Sequence, residues 1–144
     1  MKEDAKRFAS LKRLAEWKER DAAARFGRQR RERDAALQRL EELRLYHREY
    51  LERYLSAGRD SGSVARMREY QSFIDKLEAA IAEQERIVAQ LEEVCELARH
   101  AWTSEYTNAQ SMSHVLQKKC EQAEREQLRN EQRQLDDRSP RRSS

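Results

Sequence analysis

Residues 67–95 read MREYQSFIDKLEAAIAEQERIVAQLEEVC, and the spacing of the apolar positions in this stretch decides the fold. Stepping alternately by three and four from Met67 gives Tyr70, Ile74, Leu77, Ile81, Gln84, Val88, Leu91 and Cys95. The same step continues in phase through Ala98, Trp102, Glu105, Ala109, Met112, Leu116, Lys119 and Ala123, so that only Gln84, Glu105 and Lys119 among the seventeen positions are polar. An apolar repeat averaging about 3.5 residues, held for about eight heptads, is the pattern of a helix that supercoils around a partner helix.

A weaker seam precedes it: Phe8, Leu11, Ala15, Ala22 and Phe26, then Ala36, Leu40, Leu43, His47, Tyr50 and Tyr54, with Leu37 and Leu51 widening the stripe. The intervening Arg28-Gln29-Arg30-Arg31-Glu32-Arg33 has no apolar residue and follows Gly27, which predicts a softer segment with a bend or a frayed seam. Between the two seams lies Ala57-Gly58-Arg59-Asp60-Ser61-Gly62-Ser63, with two of the three glycines of the chain. Gly58 suits the left-handed position that ends a helix, and Ser61 or Ser63 suits the N-cap of the next. Two long helices joined by so short a connection run antiparallel.

The expected architecture is therefore all-α: a long antiparallel two-helix coiled-coil hairpin over residues 1–135, with helix 1 over about 4–57, a loop over 58–63 and helix 2 over about 64–135. Residues 136–144 form a polar stretch expected to be a disordered C-terminal tail. Counting back from the loop sets residue 54 opposite about residue 67 and Phe8 opposite about residue 113, and leaves everything after about Ala123 unpaired. A rod about 80 Å long, with both chain ends at one tip, is the expected shape.

Composition agrees. Of 144 residues 40% are charged and 7% aromatic, with three glycines and one proline, too little turn chemistry for a sandwich, a barrel or a doubly wound sheet. Lys plus Arg number 30 against 27 Asp plus Glu, a formal +3 too even for a protein living mainly on nucleic acid. The excess is uneven: residues up to Ala57 carry 16 basic and 11 acidic side chains, the remainder 14 and 16, so the halves are of opposite sign and can complement each other. No run approaches the ~20 apolar residues of a membrane span, and the N-terminus lacks a signal-peptide core, so a cytoplasmic location is expected. Cys95 and Cys120, about 37 Å apart along one helix, cannot pair within the chain.

Catalytic patterns are missing from the sequence. His47, His100 and His114 share no metal-ligand spacing, and there is no glycine-rich phosphate loop or nucleophile elbow. The expectation is a protein that is not an enzyme and carries no cofactor or metal. Among residues with a second reading, His47 falls on the seam and reads as a packed, hydrogen-bonded histidine before a charge switch. Tyr46, Tyr50 and Tyr54 recur every four residues and read as half-buried packing before a docking strip. The Arg28–Arg33 run, interleaved with acids, reads as a solvated face before a phosphate contact, and Cys95 as a small seam hydrophobe. Phe73 stands apart. It is next to seam residue Ile74 but off the seam, one turn before Leu77, and docking and packing remain open for it.

The blocks Tyr46-His47-Arg48-Glu49-Tyr50, Ser56-Ala57-Gly58 and Tyr70-Gln71-Ser72-Phe73-Ile74-Asp75-Lys76-Leu77-Glu78, with Trp102 and the N-terminal Leu11-Lys12-Arg13-Leu14-Ala15-Glu16, resemble the FliJ family of flagellar type III export proteins over roughly residues 8–130. The most specific part is the Tyr-Gln-x-Phe-Ile-x-x-Leu-Glu block. The resemblance implies an antiparallel two-helix coiled coil similar to the central stalk subunit of rotary ATPases. It implies a stalk-like part of the export apparatus in the cytoplasm, peripheral to the inner membrane at the flagellar basal body. The implied partners are the export ATPase FliI, whose ring the terminal tip enters, the export gate protein FlhA, and export chaperones. Phe73 and Leu77 match the gate-binding pair, and Lys6, Arg7, Arg13 and Lys18 lie at the tip that the resemblance sets against the ATPase ring. The segment His100–Gln117, almost free of charge apart from Glu105, departs from the charged helix expected there. The competing readings are a scaffold dimerising as a parallel coiled coil, disfavoured by Gly58 and Gly62, and a basic helical nucleic-acid binder, disfavoured by the interleaved acids; the isolated hairpin is expected to be a monomer.

Overall fold

The computed structural model describes residues 2–59 and 63–138. Two helices account for them, α1 over Lys2–Arg59 and α2 over Val64–Arg138, and no strand occurs among the described residues. The helices pack against one another in antiparallel sense, so the seam of α2 is answered within the same chain and not by a parallel second copy.

Both helices run past the bounds read from composition. Asp136, Asp137 and Arg138, assigned to the tail on polarity alone, continue α2. Polarity does not stop a helix; a backbone breaker does, and none occurs before Pro140. Residues 139–144, with the expectation of disorder there, lie outside the described residues. At the turn, Ser63 caps α2: its Oγ accepts the Arg66 N–H at 3.3 Å, and its carbonyl accepts the Met67 N–H at 3.2 Å. The alternative cap, Ser61, is outside the described residues. Gly58 does not take the left-handed position proposed for it; it lies inside α1. Its value there is close approach, because a Cβ would stand 3.3 Å from Met67 Cε.

The chain divides into two compact units, Ala24–His100 and the pair Met1–Ala23 with Ala101–Ser144. In the first, α1 withdraws Phe26, Gln29, Arg33, Ala36, Leu40, Leu43, His47, Tyr50, Tyr54 and Ala57 from solvent, a strict alternation of three and four. The α2 positions from Met67 to Ala98 answer it, and Leu40, Leu43, Ile74, Leu77, Val88 and Cys95 are buried. The charged interval does not fray the seam. Gln29 and Arg33 hold the heptad phase across it, because the long Arg33 side chain lies along the seam and brings its guanidinium to 3.7 Å from Cys95 Sγ and 3.0 Å from Asp34. Polar contacts then fix the register: Gln84 Nε2 donates to the Ala36 carbonyl at 3.0 Å, His47 Nε2 meets Glu78 at 3.1 Å, and Arg44 reaches Glu85 at 3.5 Å.

The second unit packs more thinly. Its α1 seam is Ala5, Phe8, Lys12, Ala15, Glu19 and Ala22; Leu11, read as a seam residue, stays 38% exposed because the phase selects Lys12. Ala15 alone among this unit's described side chains is buried. Trp102 Nε1 donates to Glu19 Oε1 at 2.9 Å, and Lys119 Nζ stands 4.2 Å from the Phe8 ring centroid. Phe8 therefore meets residue 119, not a residue near 113, since α1 runs on to Arg59 and moves the pairing along α2. From Glu124 to Arg138 every side chain is exposed.

Candidate interaction surfaces

Among the described residues burial is confined to small and apolar side chains. None of their polar or charged side chains is buried, and no group of His, Cys, Asp and Glu could hold a metal ion. The shifted carboxyls are Glu83 and Glu96, held below the ordinary glutamate range by hydrogen bonds from Arg86 and Arg99 on the same helix face. These are exposed pairs one turn apart, a feature of solvated helices. The exposed side chains lie along the surfaces of the two helices.

In the unit Ala24–His100 that surface is aromatic. Phe73 lies one position before the buried Ile74, so its ring leaves the seam at the flank and leans on Tyr50, centroids 4.4 Å apart and planes at 43°. Tyr70 meets Tyr50 edge-on at 6.3 Å, and the Arg53 guanidinium covers Tyr50 at 4.9 Å. Phe73 keeps 41% of its surface open and Tyr46, one turn before Tyr50, is half exposed, whereas Leu77 is 7% exposed and belongs to the core. The residues named as a pair are thus divided between the surface and the seam.

In the unit formed by Met1–Ala23 and Ala101–Ser144, Lys6, Arg7, Arg13 and Lys18 are all exposed on α1. Arg13 Nη2 bonds Ser10 Oγ at 3.3 Å. Sequence reading passed over the apolar residues among them: Leu14 is 49% exposed and Trp17 58%. The signal was available. Carrying the heptad of α1 back through Phe26, Ala22, Glu19, Ala15 and Lys12 leaves Trp17 on the face opposite α2. The charge-poor segment of α2 turns Trp102 toward α1, with Tyr106 5.9 Å from it, and Thr107 Oγ1 donates back to the Thr103 carbonyl at 3.0 Å.

These features define a class: an all-helical protein of two long antiparallel helices paired along a heptad seam. Among the described residues, no helix is long and apolar enough to cross a membrane. The family model described as "Flagellar FliJ protein" matches residues 4–144, and the chain belongs to the FliJ family. It is a flagellar, export-associated protein. No significant match was found among curated proteins or solved structures.

Proposed function

We propose that this protein is a non-catalytic, stalk-like component of the flagellar type III export apparatus. It inserts into the ring of the export ATPase FliI and promotes its assembly or activity. It also links the ATPase to the export gate protein FlhA and to export chaperones, in the cytoplasm and at the inner-membrane face of the basal body. The observation that carries the reading is the family match over residues 4–144 on a chain folded as two paired helices. Two helices, each about 10–12 Å across, suit a narrow pore better than a globule does. The protein would act by favouring particular conformations of the ring through contacts that differ between them, with no bond chemistry of its own.

On this reading the basic residues Lys6, Arg7, Arg13 and Lys18 face the ATPase ring, and Phe73 is the anchor for the gate, with Leu77 holding the helix beneath it. Binding to the gate and stimulation of ATP hydrolysis by the purified export ATPase test the reading together. Phe73→Ala should weaken gate binding by ~30-fold, a hot-spot loss of about 2 kcal/mol, while costing only the ~0.5–1.5 kcal/mol of its aromatic contact in stability. Leu77→Ala should instead lose ~2–4 kcal/mol of stability. A full chain that neither binds the gate nor stimulates the ATPase would refute the proposal.

A further inference from the structure

From Lys6 to Arg20 the chain carries six basic residues, Lys6, Arg7, Lys12, Arg13, Lys18 and Arg20, and two acids, Glu16 and Glu19. Both acids are engaged on the seam side, Glu16 with Lys12 at 3.7 Å and Glu19 with Trp102 at 2.9 Å. Over this stretch the exposed charged side chains are all basic. Among the described residues, none of Lys6, Arg7, Arg13, Lys18 or Arg20 has a carboxylate within ion-pair distance. Among these cations stand Leu14 and Trp17, one turn apart, and Trp17 is the most exposed aromatic side chain of the described residues.

We infer that Leu14 and Trp17 form the anchor by which α1 docks on an acidic protein surface bearing an apolar recess, and that the surrounding cations steer the encounter. The inference rests on the proposed ATPase contact, and it identifies the chemistry of that contact: the ring must present carboxylates around a pocket able to take an indole. Charge complementarity fixes the sign of the partner. The form of the patch favours a protein over a bilayer. A helix lying on a membrane buries a long continuous apolar stripe, but the main apolar stripe of α1 is spent on α2, and between Lys6 and Arg20 the exposed positions other than Leu11, Leu14 and Trp17 are Lys6, Arg7, Ser10, Arg13, Lys18 and Arg20. A large ring ringed by polar side chains is the arrangement of an interface hot spot.

The test measures affinity of the full chain for the purified export ATPase at two salt concentrations, with melting curves for each variant. Trp17→Ala should weaken binding by ~30-fold or more with an unchanged melting midpoint and an unchanged salt dependence, and Trp17→Phe should recover most of the loss. Arg13→Glu with Lys18→Glu should slow association and flatten the salt dependence. Wild-type chain that does not bind the ATPase at all would refute the stalk reading itself. Wild-type binding that Trp17→Ala leaves within threefold would refute only the anchor. Trp17-dependent binding to vesicles of phosphatidylglycerol and phosphatidylethanolamine, with no Trp17 dependence toward the ATPase, would overturn the protein partner in favour of a lipid one.

Discussion

Between Ala24 and His100 the two helices bury six side chains, among them Leu40, Ile74 and Val88, while the described side chains of residues 3–23 and 101–138 include one buried residue, Ala15. The heptad phase is equally strict in both units, so periodicity alone does not set the strength of a coiled coil. What differs is the chemistry at the seam. In the first unit branched aliphatics face one another and fill the space between the backbones. In the second, alanines face Trp102, Met112 and Leu116, and Lys12, Glu19, Glu105 and Lys119 occupy seam positions. Such residues define register at some cost in stability. Within the more thinly packed unit, a Trp–Glu hydrogen bond and a Lys–Phe contact link the two helices.

The contrast can be broken most directly with charge. Ile74→Asp should remove ~3–5 kcal/mol, seen as a collapse of the melting midpoint, because the site is closed to water. Met112→Asp, at a partly open site, should cost clearly less; equal losses would abolish the distinction. Native-state hydrogen exchange probes the same contrast without mutation. Amides around residues 74–95 should open near the global unfolding free energy, and those around 102–119 well below it. Trp102→Phe keeps an aromatic ring, though a smaller one, and deletes the donor to Glu19, so at least about 1 kcal/mol should be lost, and a double-mutant cycle with Glu19→Ala should return a coupling of about 1 kcal/mol for the hydrogen bond.

Smaller effects sharpen the picture. Gly27 lies inside α1 with only Arg31 Nη1 near a built Cβ, at 3.5 Å, so Gly27→Ala should stabilise by ~0.5–1 kcal/mol in a melt. Gly58→Ala should be within about 0.5 kcal/mol of neutral, as the helical gain is offset by the approach of Met67; a left-handed Gly58 would instead make it clearly destabilising. The least effect is electrostatic. Glu83 and Glu96 have folded-state pKa values below their unfolded ones, so their contribution is present above the ordinary glutamate range and disappears as pH falls through the depressed values. Acid titration of the melting midpoint should show a slightly flatter decline for the double variant Glu83→Gln, Glu96→Gln than for the wild type.

Much of this was legible in the residues. The seam from Met67 to Ala123 names seventeen positions, and each is withdrawn from solvent in α2. An apolar repeat must face a partner helix, and the short connection after Ala57 leaves α1 as that partner. Where α1 departs from the sequence reading, the cause is a long polar side chain doing the work of an apolar one. Lys12, Gln29 and Arg33 carry the seam by their methylene stems, which residue-type counting scores as polar. The end of α2 is hidden for a related reason: Asp136–Arg138 are polar, but hydrogen bonding along a helix is indifferent to side-chain polarity.

The candidate surfaces were less legible. Two helices, their antiparallel course, the α2 seam and the position of Phe73 beside it can be read from the residues alone, because they follow from local periodicity and from where the chain can turn. Packing of the helices was needed to see that Phe73 leans on Tyr50 and stays partly open while Leu77 is enclosed, and that Glu16 and Glu19 pair toward the seam, leaving basic side chains around Trp17. Those facts depend on the rotation of each helix about its own axis and on which side chain lies opposite which, and packing across the seam sets both.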